Sequence, residues 1–288
     1  MNELNNPRIE RVSQGASPGH NEDHVIVVET PAATDLIVLD GATSVADHDY
    51  IDPAGDVAWF VARFGAALEQ AIHDGLDQEP AVLRAIGAVR DEYLGHAGGA
   101  EVPPYAWPIA AMTWVRAARD QALHLYCLGD CITLMTRPDG TVVDLDPYVN
   151  PQEAVLRAEI ARLSAAGIDD PAARYARLLP LLRARREEQN GSANPAILCL
   201  RPAGALAARR HVVPAPGGSM LLVMTDGFYR LVDPYGLHTP ISLMTACEQR
   251  GLAAALHALR GYEAEMAVGN SVKRADDASA ILWRAPPV

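Results

Sequence analysis

Cysteine is scarce in this chain: Cys127, Cys131, Cys199 and Cys247 are the four in 288 residues. None of them pairs at the spacing of a zinc knuckle, and four are too few for a disulfide framework at this length. All four are expected to be buried small hydrophobes. Long apolar runs are missing too. No stretch approaches the roughly 20 apolar residues that span a bilayer. The opening MNELNNPRIERV is polar, without the apolar core of a secretory leader. A soluble, cytoplasmic protein with no membrane partner is the expectation. Positive charge is the third shortage, with 24 Lys and Arg against 36 Asp and Glu and a net charge of −12. Such a chain repels a phosphate backbone instead of releasing its counterions, so nucleic acid is not expected as a partner. Low-complexity tracts and repeats of about 20 to 50 residues are absent, which sets aside solenoids and propellers.

What is there is a globular composition, 49% hydrophobic over 288 residues, enough for one large core or two small ones. Val25 to Val28 and Leu36 to Leu39 are short β-forming runs joined by a turn-like segment, which predicts a hairpin. From Asp56, apolar residues recur every three or four positions (Val57, Phe60, Val61, Phe64, Leu68, Ile72), and a second helix is predicted from Pro80 with Val82, Ile86, Val89 and Tyr93 on one face. Strands are predicted at Ile109 to Val115, Leu123 to Leu128 and Ile132 to Met135, then at Ala196 to Leu200 and Met220 to Met224. Between them, Pro151 to Gln189 reads as helical, with Gly167 as a stop and Pro180 interrupting the second piece. One helix is predicted from Ser242 to Leu259, and a last strand from Ala278 to Trp283. The order is that of an α+β fold in which helix pairs and sheet cover one another.

Carboxylates stand at the mouths of three apolar strands: Asp40 after Leu36-Ile37-Val38-Leu39, Asp226 after Leu221 to Thr225, and Asp276-Asp277 before Ala278. An Asp there must be solvated, paired or bound to a cation, because burying it alone costs several kcal/mol or more. Strand mouths that converge would form an oxygen-rich site suited to Mg or Mn. Asp-Gly after a strand is also ordinary turn chemistry, but Glu22-Asp23 at the opening of the first strand makes a fourth such mouth.

In order along the chain, Asn21-Glu22-Asp23, Asp40-Gly41, Gly129-Asp130-Cys131, Thr225-Asp226-Gly227 and Asp276-Asp277 resemble the motifs of the metal-dependent protein phosphatases of the PPM type, the type 2C serine/threonine phosphatases of bacterial kind. The resemblance implies a single PPM-type domain over 1–288. Its fold would be a four-layer α-β-β-α sandwich, two antiparallel sheets flanked by helix pairs, with a helical, Arg-rich insertion or flap at about 147–194. It implies two Mn or Mg ions, with Asp40, Asp226 and Asp276 as the catalytic carboxylates. Asp40 would bridge both ions, the Gly41 carbonyl would be a further ligand, Asp226 and Asp276 would complete the second ion, and Glu22 would act through bound water. Asp23 and Asp277 would orient those ligands. A dimetal-bound hydroxide would then attack the phosphoserine or phosphothreonine of a phosphoprotein substrate, with no protein nucleophile.

The match has gaps. The family commonly carries an Arg four residues before the Glu to grip phosphate; here that position is Pro18. His20 is one replacement. The Arg-rich segment from Arg157 to Arg186 is another, unless its arginines lie on a solvated face paired with Glu153, Glu159, Glu187 and Glu188. Cys131 and Asp277 replace Ser and Asn of the family motifs, and Ala42 stands where some members carry a His. A non-catalytic PPM-like binding module and a hydrolase of small phosphorylated metabolites therefore remain alternatives.

Overall fold

Leu36, Ile37, Val38 and Leu39 are buried in succession, which a strand permits only when both faces of its sheet are covered. Leu36 and Val38 pack into one apolar cluster while Ile37 and Leu39 pack into another on the opposite face. In this computed structural model, which describes residues 9–265 and 275–286, that strand lies inside a four-layer stack.

In chain order the strands and helices are β1 (Ile9–Gln14), β2 (Asp23–Glu29), β3 (Ala33–Gly41), α1 (Asp56–His73), α2 (Gln78–Ala97), β4 (Ile109–Ala118), β5 (Ala122–Leu128), β6 (Ile132–Thr136), β7 (Val142–Asp144), α3 (Pro151–Ala165), α4 (Pro171–Gly191), β8 (Leu198–Cys199), β9 (Arg209–Pro214), β10 (Met220–Met224), α5 (Asp226–Tyr229), α6 (Pro240–Arg250), α7 (Leu252–Glu265) and β11 (Ala278–Arg284). One sheet runs β1-β11-β10-β6-β7 and the other β2-β3-β4-β5-β9, with β8 bridging to β4; the pairings are antiparallel. Between the sheets lie Leu36, Val38, Val115, Leu221, Val223 and Ile281. Phe60, Phe64, Val82 and Ile86 of α1 and α2 cover the outer face of the second sheet, against Ile37, Leu39 and Trp114. Leu243, Met244, Leu256 and Leu259 of α6 and α7 cover the first, against Leu222, Met224 and Leu282. The expected α+β sandwich is the observed one.

Three expectations need correction. The helix read as continuous from Ser242 to Leu259 is two helices, α6 and α7. Gly251 breaks them at φ +80°, where the Leu252 N–H donates to Glu10 Oε2 at 3.2 Å. Pro180 does not interrupt its helix: α4 continues through it. Pro180 and Ala176 are both exposed, so the carbonyl deprived of its donor meets water, and Leu178 and Arg186 anchor the helix on its buried side. Finally, the strand expected over Ala196 to Leu200 is only the two-residue bridge β8. Strands β1, β7 and β9 were not predicted; IERVSQ and RRHVVP carry too few apolar residues to show a strand period.

All four cysteines are free and buried, as expected. The first eight residues, part of the polar opening, lie outside the described residues. No helix among the described residues is long and apolar enough to cross a membrane.

Candidate metal centre

The antiparallel hairpin of β2 and β3 pairs Asp23 directly with Asp40, so the two acidic motifs meet at one end of the sheet. The Gly41 N–H donates to the Glu22 carbonyl at 3.0 Å. A side chain at position 41 would collide with that carbonyl and sit 2.6 Å from Val57 Cγ1, so the approach requires glycine. Gly227 plays the same part for the other sheet: a Cβ there would overlap the Asp277 carbonyl, which lets the turn after β10 lie on the motif before β11.

Hydrogen bonds tie the sheets together at this pole. The Thr225 hydroxyl donates to Asp23 Oδ2 at 3.0 Å and accepts from the Ser279 N–H at 3.0 Å. Asp277 takes the Ala16 N–H on one oxygen at 2.7 Å and the Glu22 N–H on the other at 2.6 Å. Arg260 of α7 donates to the carbonyls of Asp276 at 2.8 Å and Gln14 at 2.7 Å. Glu22 Oε2 accepts the Thr43 hydroxyl at 2.6 Å, while Oε1 lies 3.6 Å from His20 Nε2. His20 Nδ1 donates to the Ala54 carbonyl at 3.1 Å, so both of its nitrogens already face protein groups. A cavity of about 760 Å³ opens beside this motif, lined by the loop containing Pro18 and by Arg260.

The acids raise one another's proton affinity. Burial pushes Asp23 up to about 8, opposed by its hydrogen bonds to Ser279 and Thr225 and reinforced by Asp277 and Asp226. Asp40 is held well above the carboxylate range by burial, then by Asp226, Asp23, Asp130 and Asp276. The Cys131 thiol is pushed up by burial and by the same neighbours, among them Asp40 and Asp130. Every sequence-predicted acid therefore stands at this pole. Among the described residues, however, no three His, Cys, Asp or Glu side chains point at one common centre. An all-oxygen set of mutually repelling carboxylates is the donor chemistry of a hard dication, and in residue type this set fits one.

The Arg-rich segment divides between the two expectations held for it. Arg157 and Arg162 pair with Glu153 and Glu159 on the exposed surface, as a solvated face would. Glu187 and Glu188 form no such pair among the described residues, contrary to expectation, because the arginines beside them turn inward. Arg183 donates to the Val45 carbonyl at 2.8 Å and to Asp47 at 2.6 Å. Arg185 donates to Asn150 Oδ1 at 3.1 Å, and the Asn150 amide donates to Asp130 Oδ2 at 3.0 Å. Arg186, 7% exposed, donates to the carbonyls of Ala42 and Thr43 at 3.3 and 3.2 Å. Sequence reasoning assigned no role to Asp130 or Asn150. Their signal was a Gly-Asp after a strand and an Asn before the Pro that opens α3.

No protein-family model and no curated protein sequence matches the chain. Solved structures do. The catalytic domain of the serine/threonine phosphatase PstP, in complex with two manganese ions, is 15% identical with a TM-score of 0.54, covering 96% of this chain and 97% of that one. The PPM phosphatase MsPP from Mycobacterium smegmatis, in complex with cacodylate, is 14% identical with a TM-score of 0.56, covering 96% and 98%. The fold is that of the PPM-type serine/threonine phosphatases. RsbX, in complex with magnesium, shares it at 13% identity and a TM-score of 0.50, covering 99% of this chain and 96% of that one. These matches cover 96 to 99% of this chain, and α3 and α4 lie within the segment read from sequence as an inserted flap.

Proposed function

We propose that the chain is a single-domain, cytoplasmic PPM-type enzyme that hydrolyses phosphoserine and phosphothreonine in proteins, using two Mn or Mg ions. The observation that carries this is the cluster around Asp40, whose carboxyl is driven up by burial and by four neighbouring acids. A like-charge cluster of this kind persists where a cation, not a proton, is its resident partner. Structures of the same fold in complex with manganese or magnesium support the choice of ion.

Asp40, the Gly41 carbonyl, Asp226 and Asp276 would hold the ions. When bound, two such ions acidify a shared water and neutralise the phosphoryl oxygens. The remaining work belongs to the chain. Glu22, held by the Thr43 hydroxyl, would orient water at the first position. Asp277 and Thr225 fix the backbone of Glu22 and the carboxyl of Asp23, so the acids keep their spacing as substrate arrives. The cavity beside Pro18 and His20 adjoins the loop that leads into Glu22 and could receive part of a phosphorylated substrate.

The decisive experiment measures p-nitrophenyl phosphate and phosphopeptide turnover by the purified protein with Mn, with chelator, and after Asp226→Ala. Turnover that requires Mn and disappears in the variant supports the hydrolase. A second reading, a PPM-like module that binds phosphoproteins without cleaving them, draws on the absence of three acids aimed at one centre among the described residues. Mn binding measured by calorimetry without any turnover would favour that module.

A further inference from the structure

We propose that Arg186 of α4 is the cation that grips the phosphoryl group, a role for which the loop beside Glu22 supplies only Pro18. The proposal rests on the hydrolase reading of the same site and goes beyond it by naming a residue outside the acidic motifs. Arg186 is almost fully buried, yet no carboxylate among the described residues lies within ion-pair distance of it. Its Nη2 donates to the Ala42 and Thr43 carbonyls, and the structure gives its Nε and Nη1 no acceptor among the described residues. A buried guanidinium with spare donors and no contacting counter-ion is a site for an oxyanion.

Its position fits that task. The two carbonyls it touches follow Asp40-Gly41 directly, and the Glu22 carboxylate is close enough to attract it. In a cluster of acids that repels an anionic substrate, its guanidinium reaches the two carbonyls directly after Asp40-Gly41, while Arg183 binds farther along the same loop. Three neighbouring contacts fix its backbone there: Arg183 on Val45 and Asp47, Arg185 through Asn150 to Asp130, and the Asn190 amide on the carbonyls of Pro104 and Trp107 at 2.9 and 3.1 Å. With Nη2 held by the two carbonyls, the Nε and Nη1 hydrogens of this permanently charged group are left for phosphoryl oxygens, which the single ammonium of lysine would replace only in part.

The test titrates inorganic phosphate into magnesium-saturated protein by calorimetry, alongside KM, kcat and phosphate inhibition of p-nitrophenyl phosphate turnover. The proteins are wild type, Arg186→Gln, Arg186→Lys and the surface control Arg162→Gln. Arg186→Gln should weaken phosphate binding by about 10- to 100-fold, the range of a charge-assisted pair. Arg186→Lys should give an intermediate loss and Arg162→Gln none, with KM and phosphate inhibition moving in parallel. Should the Gln variant fail to fold, the Lys variant alone decides. Unchanged phosphate affinity, or a loss confined to magnesium affinity, would make Arg186 a brace for the Ala42-Thr43 loop and overturn the proposal. Full turnover with unaltered KM in Arg186→Gln would sink it while leaving the hydrolase intact. Phosphate binding that depends on Arg186 in a protein without turnover would uphold it and sink the hydrolase. Absence of phosphate binding in the wild type would refute it.

Discussion

Asp277 Oδ2 accepts the backbone N–H of Glu22 at 2.6 Å, while Oδ1 accepts that of Ala16 at 2.7 Å, joining the last strand to the entrance of the second. Two N–H donors need two acceptor oxygens, which a carboxylate has and an amide lacks. This accounts for Asp where the family motif has Asn. Asp277→Asn should keep one bond and Asp277→Ala neither. The Ala variant is expected to lose about 1–3 kcal/mol of stability, the cost of stranding partners of a charged acceptor. It should also lose about 10- to 100-fold in Mn affinity, as when a residue supporting a metal ligand is removed. Urea unfolding and Mn calorimetry on both variants check this; equal behaviour of Asn and Ala would contradict it.

Two glycines offer opposite outcomes. Gly227→Ala would drive a methyl into the Asp277 carbonyl, backbone against backbone, with no flexible side chain to yield. A loss of about 3 kcal/mol or more, the upper end of overpacking costs, is expected together with loss of metal binding. Gly87 lies inside α2 with nothing within 4 Å of an added Cβ. Gly87→Ala should raise stability by about 0.5–1 kcal/mol through helix propensity and unfolded-state entropy. Urea midpoints of the pair measure both signs.

The acid pole was legible because each carboxylate interrupts an apolar strand at its mouth, a pattern that survives without any knowledge of tertiary structure. Gly41 and Gly227 were visible for the same reason, though only the packing shows which atoms forbid a side chain. The helices of the flap were legible, but the directions of its arginines were not. Its arginines follow one another closely in sequence, and only the path of α4 across the Ala42–Asp47 loop separates Arg157, in water, from Arg186, under it. Pro180 misled because propensity counts the lost hydrogen bond and ignores that the orphaned carbonyl is wet. Strands β1 and β9 gain their order from partners, β11 and β5, rather than from their own residues.

Asp146 links the base of the flap to the second sheet. Arg209 reaches both of its oxygens, at 2.9 to 3.1 Å through Nε and 2.7 Å through Nη2, and His211 Nε2 lies 2.8 Å from Oδ1. Burial alone pulls its carboxyl upward, but the hydrogen bonds from Arg209 and His211 outweigh that and hold it below the ordinary value of 3.8. A depressed folded pKa means the unfolded chain takes up the proton first on acidification. The stabilisation is therefore complete above pH 3.8 and is lost as pH falls through the lower, folded value. Wild type should exceed Asp146→Asn in stability at pH 6, and the gap in urea midpoint should close on acidification below that range. A gap independent of pH would exclude the mechanism.

Asp40 gives the sharpest test of the metal centre, because removing its charge should act in opposite directions with and without the ion. In metal-free protein, burial and the charges of Asp226, Asp23, Asp130 and Asp276 all disfavour its carboxylate. Asp40→Asn relieves that repulsion at nearly constant volume, so the metal-free variant should melt above metal-free wild type at pH 8. With Mn present the order should reverse. A ligand at 100 times its Kd stabilises the native state by about 2.7 kcal/mol, a rise of several degrees in a domain of this size. The variant, without that carboxylate, should gain little of that rise. Melting curves of wild type and Asp40→Asn, each with chelator and with Mn, measure both halves. An Asn variant less stable than wild type without metal would show that Asp40 is held by protein donors alone. An undiminished Mn shift in the variant would remove Asp40 from the ligand set.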